Sequence, residues 1–91
     1  YLESKWGTYN NPIIIQGSAN TVLRGDLNIF DTRYLYLLNL NIAPGGDVLH
    51  CERCSYLLVR GGEFDGGAQL AHETIKVNQS DHVYIENAII H

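Results

Sequence analysis

Short alternation dominates this chain, and helical spacing is almost absent. Apolar residues sit two apart in Ile13 with Ile15, Leu27 with Ile29, Leu35 with Leu37, Leu49 with Cys51, Leu57 with Val59, Ile75 with Val77, and Val83 with Ile85. A period of two is the signature of a strand with one face buried, and Gly, Asn, Asp and Ser punctuate the runs as turn residues do. No window keeps apolar residues at i, i+3, i+4 and i+7 for the length a helix needs. The pattern predicts an all-β chain of many very short strands.

Sliding the sequence on itself gives the next step. Residues 26–39, 48–61 and 74–87 register without a gap over fourteen positions, at offsets of 22 and 26 residues. The four additional residues of the second interval fall in 65–72, a Gly-containing loop. A period in the low twenties built from short strands is the length of one turn of a parallel β-helix, a solenoid in which each turn lays its strands on those of the turn before. The registered positions then become columns. Leu27/Leu49/Ile75, Ile29/Cys51/Val77, Leu35/Leu57/Val83 and Leu37/Val59/Ile85 are expected to point inward. Tyr34/Tyr56/His82 and Tyr36/Leu58/Tyr84 are expected as external aromatic columns, Arg60 beside Glu86 as a surface ion pair, and Asn39/Gly61/Asn87 at a bend that tolerates left-handed backbone. The chain divides into a first partial coil at 1–25 and successive coils at 26–47, 48–73 and 74–91.

Composition narrows the classes. At 45% hydrophobic and 18% charged, the 91 residues have the make-up of one small folded unit and not of a disordered tail. Six Lys and Arg against ten Asp and Glu give a net charge of −4, which disfavours a sequence-neutral grip on nucleic acid. No run approaches the eighteen apolar residues of a membrane-spanning helix. The two cysteines form one C-x-x-C, Cys51 and Cys54, with His50 alongside. A structural zinc site needs four ligands and no second pair exists, so Cys51 reads first as a core residue in a slot that Ile and Val fill in other turns.

The segments 11–17 (NPIIIQG), 22–25 (VLRG) and 83–91 (VYIENAIIH), together with the repeats between them, resemble right-handed parallel β-helix proteins of the pectate-lyase-like superfamily. The resemblance covers nearly the whole chain and implies a right-handed, single-stranded parallel β-helix with three sheets per coil. First-sheet strands are expected near 26–29, 48–51 and 74–77. Second-sheet strands are expected near 35–38, 57–60 and 83–86, and third-sheet strands near 40–42, 62–64 and 88–90. Relatives of this kind carry a cap and more coils, and the sequence begins at Tyr1 without any Met, so the chain is expected to be an excerpt of a longer helix or a processed product. Open coil ends would invite self-association.

The resemblance also implies a function: a carbohydrate-active, extracellular or cell-surface protein whose partner is a polysaccharide. Relatives that cleave acidic polysaccharides do so by β-elimination, in which Ca²⁺ neutralises a uronate carboxylate and a base removes the C5 proton. Asp47 and Glu73, neighbours in one column leading into the first sheet, are the candidate calcium ligands. Residues 73–80 (ETIKVNQS) resemble the alginate lyase and chondroitinase B branch, where a calcium-binding Glu precedes the catalytic Lys by five positions. Glu73 matches the Glu, whereas Asn78 stands at the Lys place and Ala71 at that of a second Glu. Lys76 is then the candidate base, although an exposed lysine is a poor one and a solvated strand residue is the plainer reading. Asn28, His50 and Asn78 are the candidate sugar-contacting residues on the same outward face. The alternative is a non-catalytic carbohydrate-binding or structural, adhesin-like β-helix module that uses the outward aromatic columns. A net charge of −4 opposes a polyanionic substrate unless a cation bridges the two.

Overall fold

A computed structural model describes residues 2–18, 20–24, 27–42, 48–65 and 75–90. Twelve short strands follow one another, and no helix occurs among the described residues. They are β1 (Leu2–Glu3), β2 (Ile13–Gln16), β3 (Val22–Leu23), β4 (Leu27–Phe30), β5 (Arg33–Leu38), β6 (Asn41–Ile42), β7 (Leu49–Glu52), β8 (Ser55–Arg60), β9 (Glu63–Phe64), β10 (Ile75–Asn78), β11 (Asp81–Glu86) and β12 (Ile89–Ile90). They form three four-stranded parallel sheets, β1-β4-β7-β10, β2-β5-β8-β11 and β3-β6-β9-β12. The chain therefore visits sheets one, two and three in turn, four times over, returning to the first after each of the first three passes. Since no helix was found, no described segment is a helix long and apolar enough to cross a membrane.

The register is the one the repeats predict. Leu27 pairs with Leu49 and Leu49 with Ile75; Leu35 pairs with Leu57 and Leu57 with Val83. The inward columns build the core: Ile29, Leu35, Leu37, Leu49, Cys51, Leu57, Val59 and Phe64 are all buried. Observed first-sheet strands lie one residue later than expected, and second-sheet strands start two residues earlier. The earlier start has a cause. Tyr34, Tyr56 and His82 adopt left-handed backbone, with φ of 54°, 58° and 50°. The ladder runs Arg33 to Ser55 and then Leu35 to Leu57, stepping over the tyrosines. A pattern of strict alternation does not foresee a strand that continues through such a residue.

The second, third and fourth circuits turn at two further left-handed columns. Asp31, Arg53 and Gln79 make the corner between sheets one and two, and Asn39, Gly61 and Asn87 the corner between two and three. The second of these is the bend expected from sequence. At the first corner the residue that follows turns inward. Thr32 Oγ1 donates to Phe30 O at 2.9 Å, and Ser80 Oγ donates to Asn78 O at 2.8 Å while accepting from Cys54 N at 2.9 Å. Short hydroxyl side chains thus satisfy backbone groups that the bend removes from the ladder. Cys54 occupies the same column, buried, and its sulfur is joined to that of Cys51 as a disulfide.

The core is densest in the second and third circuits. In the fourth, the inward-column residues Val77 and Ile85 are 37% and 42% exposed, because only the preceding circuit packs against them among the described residues.

Candidate functional site

On the outer face of the first sheet, strand pairing places Asn28 beside His50 and His50 beside Lys76. The next outward column runs Phe30, Glu52 and Asn78. Four of the six residues singled out from sequence therefore share one face, one rung apart along each column. Asp47 and Glu73, and with them Ala71, lie outside the described residues. His50 is half-buried, with its ring edge-on to Phe30 at 5.6 Å between centroids. Its Nε2 is shielded from solvent and has no hydrogen-bond partner among the described residues. A buried ring nitrogen without a partner is uncommon; shielded as it is, Nε2 meets a bound hydroxyl or carboxylate only if the ring turns outward. Lys76 is half-buried on the adjacent strand and makes no ion pair among the described residues. Asn78 has its backbone carbonyl engaged by Ser80 Oγ and by Arg53 N at 3.0 Å, so its place is fixed by the corner. Among the described residues, no three His, Cys, Asp or Glu side chains gather as metal ligands.

The second sheet carries the aromatic columns. The rings of Tyr34 and Tyr56 stack at 4.4 Å and 3°, and those of Tyr56 and His82 at 4.3 Å and 10°. Identical backbone conformation on successive rungs, about 4.8 Å apart, holds the three rings in one line. Crowding by neighbouring groups, and then the Tyr56 phenol, push the Tyr34 hydroxyl above the usual tyrosine range. The second column, Tyr36/Leu58/Tyr84, is in register but is not a continuous stack, because Leu58 interrupts it. A groove of about 300 Å³ opens there, lined by Tyr36, Tyr56, Leu58, Arg60, Tyr84 and Glu86. Arg60 donates to Glu86 Oε2 from Nε at 3.1 Å and from Nη2 at 3.0 Å, the surface ion pair that the register predicts.

The corner between sheets one and two holds a polar depression of about 310 Å³ that includes Asp31, Arg33, Arg53 and Asp81. Sequence reasoning passed over it, since its members come from positions that look like ordinary turns. Trp6 Nε1 donates to Asp31 O at 2.9 Å, and the Arg33 guanidinium lies over the Trp6 ring at 4.6 Å. Ser55 Oγ donates to the Asp81 carboxylate, whose second oxygen lies 3.6 Å from His82 Nδ1. The Ser55 hydrogen bond first, and His82 after it, hold the Asp81 carboxyl below the usual range.

Comparison of the chain with protein-family models, with curated proteins and with solved structures finds no match.

Proposed function

We propose that the chain forms a right-handed, single-stranded parallel β-helix that engages an acidic polysaccharide along the outer face of its first sheet. Right-handedness follows the general rule for connections between parallel strands of one sheet. The observation that carries the functional reading is the line Asn28, His50 and Lys76. It sets an amide, an imidazole and an ammonium on three consecutive rungs, a line of polar groups opposite a repeating chain of hydroxyls and carboxylates.

Elimination is the chemistry this face would perform as an enzyme. Ca²⁺ held by Asp47 and Glu73 would neutralise the uronate carboxylate, Lys76 would take the C5 proton, and the electron pair left at C5 would form the double bond as the glycosidic oxygen departs. Retention of the glycan without cleavage is the non-catalytic form of the same reading.

The test is affinity electrophoresis of the 91-residue chain in gels containing alginate or polygalacturonate, with ultraviolet detection of unsaturated chain ends in parallel. Retardation by at least one polyuronate is expected, and His50→Ala and Lys76→Ala should each weaken it about tenfold, the effect of one charge-assisted contact. A rise in ultraviolet absorbance that EDTA abolishes marks the lyase, and retardation without that rise marks the binding module. Absence of retardation, or retardation that neither variant changes, removes this face from consideration.

A further inference from the structure

The outer face of the second sheet carries a gap that its own pattern makes conspicuous. In the Tyr34/Tyr56/His82 column a ring stands on each of three successive rungs, and neighbouring rings touch. Two residues further along the same strands the order is Tyr36, Leu58, Tyr84. Leu58 is shorter than the tyrosines on either side, so the middle rung is a notch with a tyrosine on each flank. The backbones of those flanking tyrosines are two interstrand steps apart, roughly 9.6 Å. The flanks are Tyr36 and Tyr84, the floor is Leu58, Tyr56 stands at one end, and Arg60 with Glu86 at the other. Tyr84 is half exposed, and the groove is open to solvent.

We infer that this notch binds a single pyranose unit of a neutral, gluco-configured saccharide, a second carbohydrate site that extends the proposed carbohydrate function to another face. Two general requirements and one observation select that occupant. A flat aromatic guest needs about 7 Å between its two neighbours, twice the closest carbon contact, whereas a puckered ring with hydrogens on both faces needs more. A ring whose hydroxyls are all equatorial presents apolar C–H surfaces above and below, which is what tyrosine and leucine walls accept. The charged groups at the end of the groove are bonded to each other, Arg60 through Nε and Nη2 to one oxygen of Glu86. The site is therefore neutral as a whole. It still presents the remaining guanidinium donors and the second carboxylate oxygen to ring hydroxyls. A uronate gains no net charge attraction from the paired Arg60 and Glu86, whereas a neutral sugar meets a donor and an acceptor together.

The test is an NMR titration of the full 91-residue chain with cellotetraose, with polygalacturonate titrated separately. Amide shifts centred on Tyr36, Leu58, Arg60 and Tyr84 are expected with cellotetraose, and Lys76→Ala should leave them unchanged. Leu58→Tyr fills the notch with a third ring and should weaken binding about tenfold or more while circular dichroism shows the fold retained. Tyr84→Ala removes one flank at an exposed position and should weaken it to a similar degree, which keeps the test decisive if Leu58→Tyr does not fold. No shifts at millimolar cellotetraose, shifts centred instead on His50 and Lys76, or binding unaffected by both variants would overturn the notch. Absence of shifts, or binding unaffected by both variants, leaves polyuronate retention by the first sheet untouched, and loss of that retention leaves the notch standing.

Discussion

Gly62→Ala is expected to be among the most damaging single-methyl changes in this protein. Gly62 has a φ of +85°, in the left-handed region, at the corner that leads into β9. A Cβ there would overlap the carbonyl oxygen of Leu40 on the neighbouring circuit, with Leu40 N at 2.8 Å and Leu40 C at 2.9 Å. All three are backbone atoms, so no side-chain rotation relieves the contact. The third sheet must open instead. Two of the bonds that hold that corner lie directly at the contact: Glu63 N to Leu40 O at 3.1 Å, and Ile89 N to Gly62 O at 3.0 Å. Left-handed backbone costs an ordinary residue about 1–2 kcal/mol, and two weakened backbone bonds cost about 1 kcal/mol each. The sum is about 3–4 kcal/mol, a large share of the stability of any small domain. Urea unfolding monitored by circular dichroism reads it as a lower midpoint at unchanged slope. Gly61→Asn is the matched control. Asn39 and Asn87 hold the same conformation one circuit to either side, and the atom in the way is the end of the Asn39 side chain, which can turn. A loss below about 1 kcal/mol for Gly62→Ala would refute the claim that close backbone stacking at this corner fixes the residue. So would a loss for Gly61→Asn equal to that of Gly62→Ala.

Two further outcomes test the outer columns. Tyr56→Ala removes both ring contacts of the Tyr34/Tyr56/His82 stack and should lower stability by about 1–3 kcal/mol in the same urea assay, twice the usual value of an aromatic pair. The Asp81 carboxyl, held low by Ser55 and then His82, contributes stability above its ordinary value of 3.8 and loses it as pH falls through the lower value of the folded state. Ser55→Ala should therefore raise the Asp81 value in an NMR titration and flatten the acid limb of the stability profile; an unchanged titration would rule out the hydroxyl as the cause.

The fold was legible because the architecture repeats itself. Each inward position is stated three times, so Leu27, Leu49 and Ile75 vouch for one another even where a single alternating pair would be ambiguous. Strand pairing then follows from the offsets alone. What stayed hidden was local conformation without a residue signature. Tyr34, Tyr56 and His82 are not turn residues by type, and Arg53 and Gln79 have no preference for left-handed backbone, yet all five adopt it. Stacking on a neighbour already in that conformation supplies what intrinsic preference does not. The strand β1 was missed for a related reason: two residues, Leu2 and Glu3, show no periodicity, and only their pairing with β4 makes them a strand.

Functional residues obey the opposite logic. A column that serves the coil is uniform, since every rung meets the same demand; a residue that serves a ligand is free to break the column. Along the outer face of the second sheet the breaks are Leu58 between two tyrosines and Arg60 opposite Glu86, and these two columns line one groove. On the first sheet the break is the sequence Asn28, His50, Lys76, three different polar groups where a solvated strand needs none in particular. His50 is the most telling of the three, because exposure alone does not explain a ring nitrogen that is shielded from water and without a partner among the described residues. The same comparison that reveals the stacked parallel sheets by what their rungs share thus points to candidate sites by what they do not share. It places both sites on outward faces, where a change of side chain leaves the inward ladders intact.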